Sequence, residues 1–410
     1  MRQVEKHLNK MAKNHFLKKI TESFFGRMSY MIFSLVFTLI CARLYGPELF
    51  GEFTFAFTLM QVLMVIATLG FNNGVIYSIP KDGSKYISLS LFMNALASIA
   101  LMLIVSFFLE DSTILLALPL IWLLSMEQIF FGIYKSEEKI KQYYSINGLY
   151  HMVLRIGLLV FFYFLIGKDI LSILLSVVLA YIFSNMLYIK RFLHLIKEVN
   201  YNSIYVRYSI TLILASIMAT LLNRTDILML QWLRDSRSVG IYQVTVQVTN
   251  LLSSLLLIFN TVFAPEISRL FHSNRLEEMK DLYIKATRIL ALVSFSATLL
   301  IIVSSNFLLM IFGEEFQSGQ GALILRSLGY FINLSVGGVW LMLSMTGAPR
   351  FQMYTNIFAF LLNVILNIVL IPPLGLLGAA IATMVTMAIA NIIGYYIVSR
   401  RFNIKVFKYF

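Results

Sequence analysis

The chain has 410 residues, of which 59% are hydrophobic and only 13% are charged. Soluble domains carry about 25% charged residues, so these proportions exclude a soluble enzyme and indicate an integral membrane protein. The one cysteine, Cys41, lies in an apolar run, which excludes an intrachain disulfide and a Cys/His metal cluster. The net charge of +13 would suit nucleic-acid binding, but its distribution along the chain indicates a different origin.

The first 23 residues are basic and polar, and they lack the apolar core and cleavage site of a signal peptide. We expect residues 1–23 to form a cytoplasmic segment with two alternative structures. One is an interfacial amphipathic helix with Leu8, Met11 and Phe16 on its apolar face; the other is a solvated basic segment.

Twelve apolar runs follow that are long enough to cross a bilayer, since a spanning helix needs about 20 mostly apolar residues. The predicted spans are 24–45, 52–79, 86–109, 113–133, 143–166, 170–189, 204–233, 239–264, 284–312, 319–346, 352–371 and 375–399. Pro372-Pro373 is expected to leave only a tight turn between the last two spans. Because strands with polar alternation are absent, the sequence predicts an all-α membrane fold.

Lysine and arginine divide unequally between the two sides of the predicted membrane. Of the 33 such residues, 23 lie in the N-terminal segment, the C-terminal tail and the loops on their side. The opposite loops carry only Lys168, Arg234 and Arg237. The positive-inside rule therefore places both termini in the cytoplasm. The positive net charge is largely a topology signal, and nucleic acid is not a predicted partner.

An internal repeat divides the spans into two halves. Leu44-Tyr45-Gly46-Pro47-Glu48-Leu49-Phe50-Gly51-Glu52-Phe53 and Leu233-Arg234-Asp235-Ser236-Arg237-Ser238-Val239-Gly240-Ile241-Tyr242 each place a polar turn before apolar-Gly-x-aromatic. Six spans is an even number, so the halves should be parallel repeats with a substrate site between them. The predicted lobes are 24–190 and 204–399, with a linker at 191–203 and a cytoplasmic tail at 400–410.

These turns resemble the polysaccharide-transporter branch of the MATE-like MOP superfamily, the O-antigen and capsule flippases. The resemblance extends to Asp226, to Phe263-Ala264-Pro265-Glu266-Ile267 and to Pro373-Leu374-Gly375-Leu376-Leu377-Gly378-Ala379-Ala380-Ile381-Ala382. It implies a transporter of twelve transmembrane helices in two parallel six-helix lobes, located in the inner membrane of a bacterium.

The implied substrate is an undecaprenyl-pyrophosphate-linked oligosaccharide, such as a lipopolysaccharide O-antigen or capsule repeat unit. The implied transport moves it from the cytoplasmic to the outer leaflet by alternating access. The expected partners are this lipid-linked substrate, the bilayer and a polysaccharide polymerase complex. Catalytic residues, cofactors and metal ions are not expected.

Seven arginines lie inside predicted spans: Arg27, Arg43, Arg155, Arg207, Arg224, Arg288 and Arg326. An arginine in hydrocarbon is costly and normally faces a water-filled cavity or a partner, which points to an anionic substrate. Arg43, Arg207 and Arg288 lie near span ends, where the side chain can reach the membrane surface. Arg27 lies about one turn inside the first span and is ambiguous.

The three remaining arginines each continue a polar stripe along one span. Asn147, His151 and Arg155 recur at every fourth position of the fifth span, and Arg224 and Arg326 have similar neighbours. We expect these stripes to line a cleft that binds anionic substrate; the alternative is buried ion pairs that lock helices together. The candidate substrate-binding residues are Arg155, Arg224, Arg326, Arg27, His151 and Asn147. His151 is alternatively a hydrogen-bonded packing residue.

Two acids also lie within spans. Asp226 is two residues from Arg224, about 200° around the helix, so its partner should lie across a helix interface. Glu127 lies some two turns inside the fourth span. Each acid is a candidate for a structural ion pair or for a protonatable coupling site. Asn356, Asn363 and Asn367 form a stripe on the eleventh span that favours interhelical hydrogen bonds.

Lipid-linked oligosaccharide flipping is the leading functional hypothesis, because arginine binds phosphate and carboxylate in a directional, bidentate manner. One alternative is a multidrug or cation antiporter of the same superfamily, whose cationic substrates would favour carboxylates over arginines. A membrane polysaccharide polymerase is a further alternative. It would need a positioned acid or base and a sizeable external loop, and the short external loops here argue against it.

Overall fold

The computed structural model describes residues 2–404 and 406, with the side chains of 2–21, 23 and 215 left outside the description. Every regular element of this described part is a helix, which confirms the all-α prediction. Lipid offers no partner to backbone N–H and C=O groups, so a long apolar segment satisfies them best within its own helix. The basic side chains of the segment 1–23 mostly lie outside the described residues, so its amphipathic character stays a prediction.

The helices fall into two compact units, and the first comprises Met1–Leu44 and Ala56–Thr220. Its elements are parts of α1 (Arg2–Ala67), α2 (Phe71–Asp82), α3 (Ile87–Phe108), α4 (Ser112–Ala117), α5 (Pro119–Ser136), α6 (Ile140–Tyr144), a π-helix (Ser145–His151), α7 (Met152–Ile166), α8 (Ile170–Phe192), α9 (Ser203–Thr211) and the start of α10 (Ile213–Leu233). Short 3-10 turns cover Gly83–Tyr86 and Leu193–Leu195. An aromatic core including Phe71, Phe130, Tyr134 and Tyr188 packs inside this unit.

The second unit comprises Tyr45–Phe55 and Leu221–Phe410. Besides segments of α1 and α10, its elements are α11 (Ser236–His272), α12 (Leu276–Val303), α13 (Ser305–Met310), a 3-10 turn (Glu314–Gly319), α14 (Gln320–Ser335), α15 (Val339–Met345), α16 (Pro349–Leu374) and α17 (Leu376–Phe402). A core that includes Met279, Tyr283, Val339 and Met342 packs inside it.

Eleven helical stretches of the described chain are long and apolar enough to cross a membrane. The first two, Phe24–Ala67 and Phe71–Phe108, cover the first three predicted spans. This happens because α1 continues through the first predicted turn with a kink at Gly46, where φ is 77°. The second predicted span then breaks at Leu69-Gly70, where both residues have positive φ. Eleven stretches therefore correspond to the twelve predicted crossings.

The predicted turn at Pro372-Pro373 is wrong in detail. Both prolines lie inside α16, which ends at Leu374, and Gly375 alone connects it to α17. Gly375 has φ of 58°, and its N–H donates to the Ile371 carbonyl oxygen at 2.7 Å. Glycine reaches this positive φ without a steric penalty, so it ends the helix where a residue with a side chain would be strained.

The boundaries of the compact units differ from those of the predicted lobes in two short segments. Residues 45–55 belong to the second unit, and the segment up to Thr220 belongs to the first. Close backbone contacts at glycines explain both assignments. A Cβ on Gly51 would lie 1.7 Å from the Ser236 carbonyl oxygen, and one on Gly70 would lie 2.0 Å from that of Ser209. Such approaches are open only to glycine.

Candidate functional site

A buried polar cluster in the first unit contains four of the predicted site residues. Glu127 lies on α5, Asn147 and His151 on the π-helix, and Arg155 on the first turn of α7. Each of these four residues is at most 5% exposed. The π-helical segment was not predicted, since apolar periodicity does not reveal it. Such segments occur frequently at functional sites, because they widen the helix and change the direction of its side chains.

Two donors hold the Glu127 carboxylate. The Tyr143 hydroxyl donates to Glu127 Oε1 at 2.9 Å, and Asn147 Nδ2 donates to the same oxygen. Glu127 therefore fixes the side-chain amide of Asn147 on the π-helix. Tyr143 was missed by the sequence analysis, because an aromatic residue near a span end is most simply an interfacial anchor.

His151 connects the π-helix to α8. Its Nδ1 lies 3.2 Å from the Ala180 carbonyl oxygen and 3.3 Å from Ser184 Oγ, and its ring packs 4.4 Å from that of Tyr181. A carbonyl can only accept, so we assign the proton to Nδ1, which leaves Nε2 as an acceptor. Nε2 is buried and has no hydrogen-bond partner among the described residues. An unsatisfied buried polar atom is uncommon and calls for an explanation.

The guanidinium group of Arg155 lies against aromatic rings. Its Cζ atom is 3.7 Å from the ring centre of Phe37 and 5.4 Å from that of Phe57, both on α1. These cation–π contacts stabilise the cation while leaving its formal charge in place. The charge also interacts electrostatically with Glu127 and His151. The predicted stripe of Asn147, His151 and Arg155 is thus one connected polar group. These three residues and Glu127 form what we call the Arg155 cluster.

A second buried cluster lies inside the second unit and is centred on Asp226 of α10. Its Oδ2 accepts hydrogen bonds from the Tyr242 hydroxyl at 2.8 Å and from Thr383 Oγ1. Asn367 Nδ2 donates to Oδ1 at 3.2 Å, and Arg326 Nη1 completes an ion pair at 3.5 Å. These partners come from α11, α14, α16 and α17. The Asp226 cluster therefore joins five helices.

Arg326 is held from several sides within this cluster. Its Nη1 donates to the Tyr242 hydroxyl at 2.6 Å, and its Nε lies 3.4 Å from Thr249 Oγ1. Arg326 is only 6% exposed, and its guanidinium lies over the ring of Tyr242. For Arg326 the structure therefore has a buried ion pair, which the sequence analysis gave as the alternative to a substrate-binding cleft. Tyr242 was noted only as the aromatic residue of the repeated turn, and Thr383 was missed, since nothing in its local sequence distinguishes it from a packing residue.

The other arginines occupy separate positions. Arg27 is exposed on α1, and Arg224 is half-buried on α10. Arg43 and Arg207 are exposed, as expected of helix-end anchors. Arg288, also expected to be an anchor, instead donates from Nε and Nη2 to the Val406 carbonyl oxygen at 3.0 and 2.9 Å. It therefore holds the segment that follows α17.

Two of the three asparagines in the predicted stripe on α16 are joined by a hydrogen bond. Asn367 donates to Asn363 Oδ1 at 2.9 Å as well as to Asp226, so it contributes one hydrogen bond along its own helix and one across an interface.

Among the residues that the structure describes, no group of three His, Cys, Asp or Glu side chains could hold a metal ion. The chemical groups present in the two clusters are guanidinium, carboxylate, amide, imidazole and hydroxyl.

The helices, their apolar surfaces and the buried charges inside them define a multi-pass membrane protein. Residues 16–271 match the family model described as polysaccharide biosynthesis protein, and residues 211–369 match the MatE model. Because the first match covers more than half of the chain, this protein belongs to the polysaccharide biosynthesis protein family, within the MATE-like MOP superfamily. The family predicted from the repeated turns is confirmed.

Individual relatives agree with this assignment. The capsular polysaccharide biosynthesis protein CapF of Staphylococcus aureus is 22% identical over 399 residues, covering 94% of this chain and all of CapF. An inward-facing multidrug resistance MATE family transporter superposes with a TM-score of 0.73 at 14% identity, covering 93% of this chain and 98% of the transporter. The lipid II flippase MurJ, in an inward closed conformation, superposes with a TM-score of 0.72 at 15% identity, covering 93% and 87%. At these identities the two superpositions show the fold.

Proposed function

We propose that this protein is a flippase that moves a polyprenyl-pyrophosphate-linked oligosaccharide from the cytoplasmic to the outer leaflet of a bacterial inner membrane. Family membership and the resemblance to CapF support a role in surface polysaccharide production. The orientation proposed here, with both termini in the cytoplasm, follows the positive-inside rule. An O-antigen or capsule repeat unit is the proposed cargo.

The observation that carries the mechanistic part of the proposal is the Arg155 cluster. It combines a guanidinium held on aromatic faces, a fixed amide at Asn147 and an imidazole nitrogen of His151 with no partner among the described residues. The cation suits a phosphate group, and the N–H donor and the acceptor beside it suit the hydroxyls of an adjoining sugar. We assign phosphate recognition to Arg155 and hydrogen bonding to Asn147 and His151, with Glu127 as the residue that positions Asn147.

The burial of the cluster implies that substrate access requires movement. At 5% exposure, Arg155 cannot meet a bulky anion in the conformation described. Alternating access would expose it in one state and cover it in another. We assign this rearrangement to the π-helix, since its widened turn can return to α-helical geometry with a local shift. Arg224 and Arg27, which are less buried, are proposed as further cationic contacts.

Arg326 is proposed to have a different role from Arg155. Its charge is compensated by Asp226 inside the second unit, so this pair stabilises the helix arrangement. The contrast between the two buried arginines gives the proposal a specific test. Loss of Arg155 should affect transport, whereas a charge-neutral replacement of the Asp226–Arg326 pair should affect mainly stability.

The test is a flipping assay in proteoliposomes, with a fluorescent polyprenyl-pyrophosphate-linked saccharide and a membrane-impermeant quencher. We expect Arg155→Ala and Arg155→Lys both to slow flipping by at least tenfold, because lysine keeps the charge but loses the bidentate geometry. Arg207→Ala, at an exposed position of α9, is the matched control and should flip at the wild-type rate. Wild-type rates in both Arg155 variants, at equal protein levels, would refute the assigned role.

The same vesicles distinguish a flippase from a cation antiporter. A flippase should give no efflux of a cationic dye in response to a proton or sodium gradient. Gradient-driven dye efflux without any flipping would favour the antiporter instead.

A further inference from the structure

A pocket lined by tyrosines lies in the first unit, at the end of the helices that the charge distribution predicts to be cytoplasmic. It has a volume of about 210 Å³. It forms where the end of α2, the 3-10 turn after it and the start of α9 come together. The lining residues are Tyr77, Ser78, Lys81, Asp82, Tyr86, Asn202, Ile204, Tyr205 and Tyr208. We call this the tyrosine pocket; it is separate from the Arg155 cluster.

The inner wall of the pocket is built from stacked rings and hydrogen bonds. Tyr86 and Tyr205 are buried and stack at 4.6 Å between ring centres. The Tyr205 hydroxyl shares a hydrogen bond of 2.7 Å with Ser90 Oγ, and Asn202 Nδ2 donates to the Tyr86 hydroxyl at 2.8 Å. Asn202 Oδ1 in turn caps the N-terminus of α9 by accepting from the backbone N–H of Ile204. These contacts hold the side chains of the inner wall in place.

The outer wall is formed by two tyrosine rings that pack against each other and yet stay exposed. Tyr77 is 52% exposed and Tyr208 is 38% exposed, although their ring centres are only 4.5 Å apart. Lys81 and Asp82 lie one turn beyond Tyr77 on α2 and are also exposed. Neither side chain makes a hydrogen bond or ion pair with another residue in the described part of the chain. Aromatic faces and free polar groups thus converge on one small space.

This combination fits a sugar ring better than a phosphate group. The C–H face of a pyranose packs on an aromatic ring, while its hydroxyls need both donors and acceptors, which Lys81 and Asp82 supply. Their opposite charges compensate each other, so the pocket carries no net positive charge for an anion. The volume is below the range of about 300–1,000 Å³ that suits drug-sized ligands, and it is of the size of a single ring.

We propose that the tyrosine pocket binds one sugar ring of the lipid-linked oligosaccharide on the cytoplasmic side, before transport. This inference rests on the proposed flippase function and deepens it, because it separates recognition of the sugar from recognition of the phosphate. Tyr77 and Tyr208 supply the stacking surface, and Lys81 and Asp82 supply hydrogen bonds to the hydroxyls. Tyrosines at a membrane surface also serve as interfacial anchors, so the test must separate these two roles.

The test measures binding to the purified full-length protein in nanodiscs. The two probes are the polyprenyl-linked saccharide extracted from membranes of the host bacterium and bare undecaprenyl pyrophosphate. We expect the wild type to bind the sugar-bearing lipid about tenfold more tightly than the bare lipid, from stacking on two rings. The double variant Tyr77→Ala/Tyr208→Ala should lose this difference and keep its affinity for the bare lipid, which also shows that it is folded.

Two further variants serve as controls. Tyr77→Phe keeps the ring and should retain most of the difference between the probes. Tyr201→Ala removes an exposed tyrosine that does not line the pocket and should retain all of it. A difference that persists in the double variant would overturn the proposal. An equal loss of affinity for both probes in that variant would also overturn it and would indicate an interfacial anchor.

Failure of the flippase proposal would have a different signature. If the wild type bound neither probe, the proposed function and the sugar site would both be wrong. If Arg155→Ala weakened both probes while the wild type showed no preference for the sugar-bearing lipid, only the sugar site would be wrong.

Discussion

Replacement of the Asp226–Arg326 ion pair should reveal a strong energetic coupling between the two residues. Asp226→Asn leaves the Arg326 guanidinium buried without its carboxylate, and Arg326→Gln leaves the carboxylate without its cation. Removal of one partner of a buried ion pair typically costs about 3–5 kcal/mol. The long contact of 3.5 Å and the 13% exposure of the Asp226 side chain point to the lower end of that range.

The double variant should be considerably more stable than the sum of the single effects predicts. Asparagine and glutamine together carry no charge, and asparagine can still accept from Tyr242 and Thr383. Weakened interhelical hydrogen bonds cost about 0.6 kcal/mol each in membrane proteins, so the double variant should lose about 1–2 kcal/mol. The expected coupling free energy is therefore several kcal/mol.

The assay is reversible unfolding of the purified protein in mixed micelles, for the wild type, both single variants and the double variant. Flipping by the four proteins is measured in parallel. Costs that add to within about 0.5 kcal/mol would refute the structural assignment, because residues in direct contact should not behave independently. Loss of flipping in a stable double variant would show that the pair also acts in transport.

Two further predictions follow from close contacts. Gly51→Ala and Gly240→Ala should each lower the free energy of unfolding by about 1–3 kcal/mol, because the added Cβ would overlap a backbone carbonyl oxygen. In the same unfolding assay, Gly157→Ala has open space around its Cβ and should be neutral or stabilising by up to about 1 kcal/mol; equal losses in all three would contradict this. Arg288→Met should speed trypsin cleavage after Arg401 by at least about tenfold, since the Val406 carbonyl loses two charged donors. Arg207→Met, at an exposed arginine, should leave the cleavage rate unchanged.

Gly51 and Gly240 form a repeated motif in the sequence and a direct backbone contact in the structure. Their spacing identified a repeat, and the repeat supported the family assignment. In the second unit the two turns pack against each other, so that a Cβ on Gly240 would lie 2.0 Å from the Pro47 carbonyl oxygen. Both glycines are required for the same close approach, which a one-dimensional pattern cannot express.

The amino-acid sequence by itself determined the class of fold and the approximate number of crossings, and it identified Glu127, Arg155, Asp226 and Arg326 as charges within predicted spans. Apolar runs of this length form helices in lipid because lipid offers no hydrogen-bond partners, and a helix satisfies its backbone groups internally. Composition therefore decides the secondary structure. The stripe of Asn147, His151 and Arg155 was also readable from helical spacing. The π-helix within it was not, because its backbone pattern leaves no periodic signal in seven residues.

Only the tertiary structure decided what the buried charges do. Arg326 and Arg155 looked equivalent as arginines on polar stripes, yet Arg326 meets Asp226, which is 100 positions away in the chain, while Arg155 lies on the rings of Phe37 and Phe57. The energy of a charge in a membrane depends on the few groups within several ångströms of it. Those groups are brought together by helix packing, and helical periodicity specifies a face of each helix but not the neighbour that the face meets.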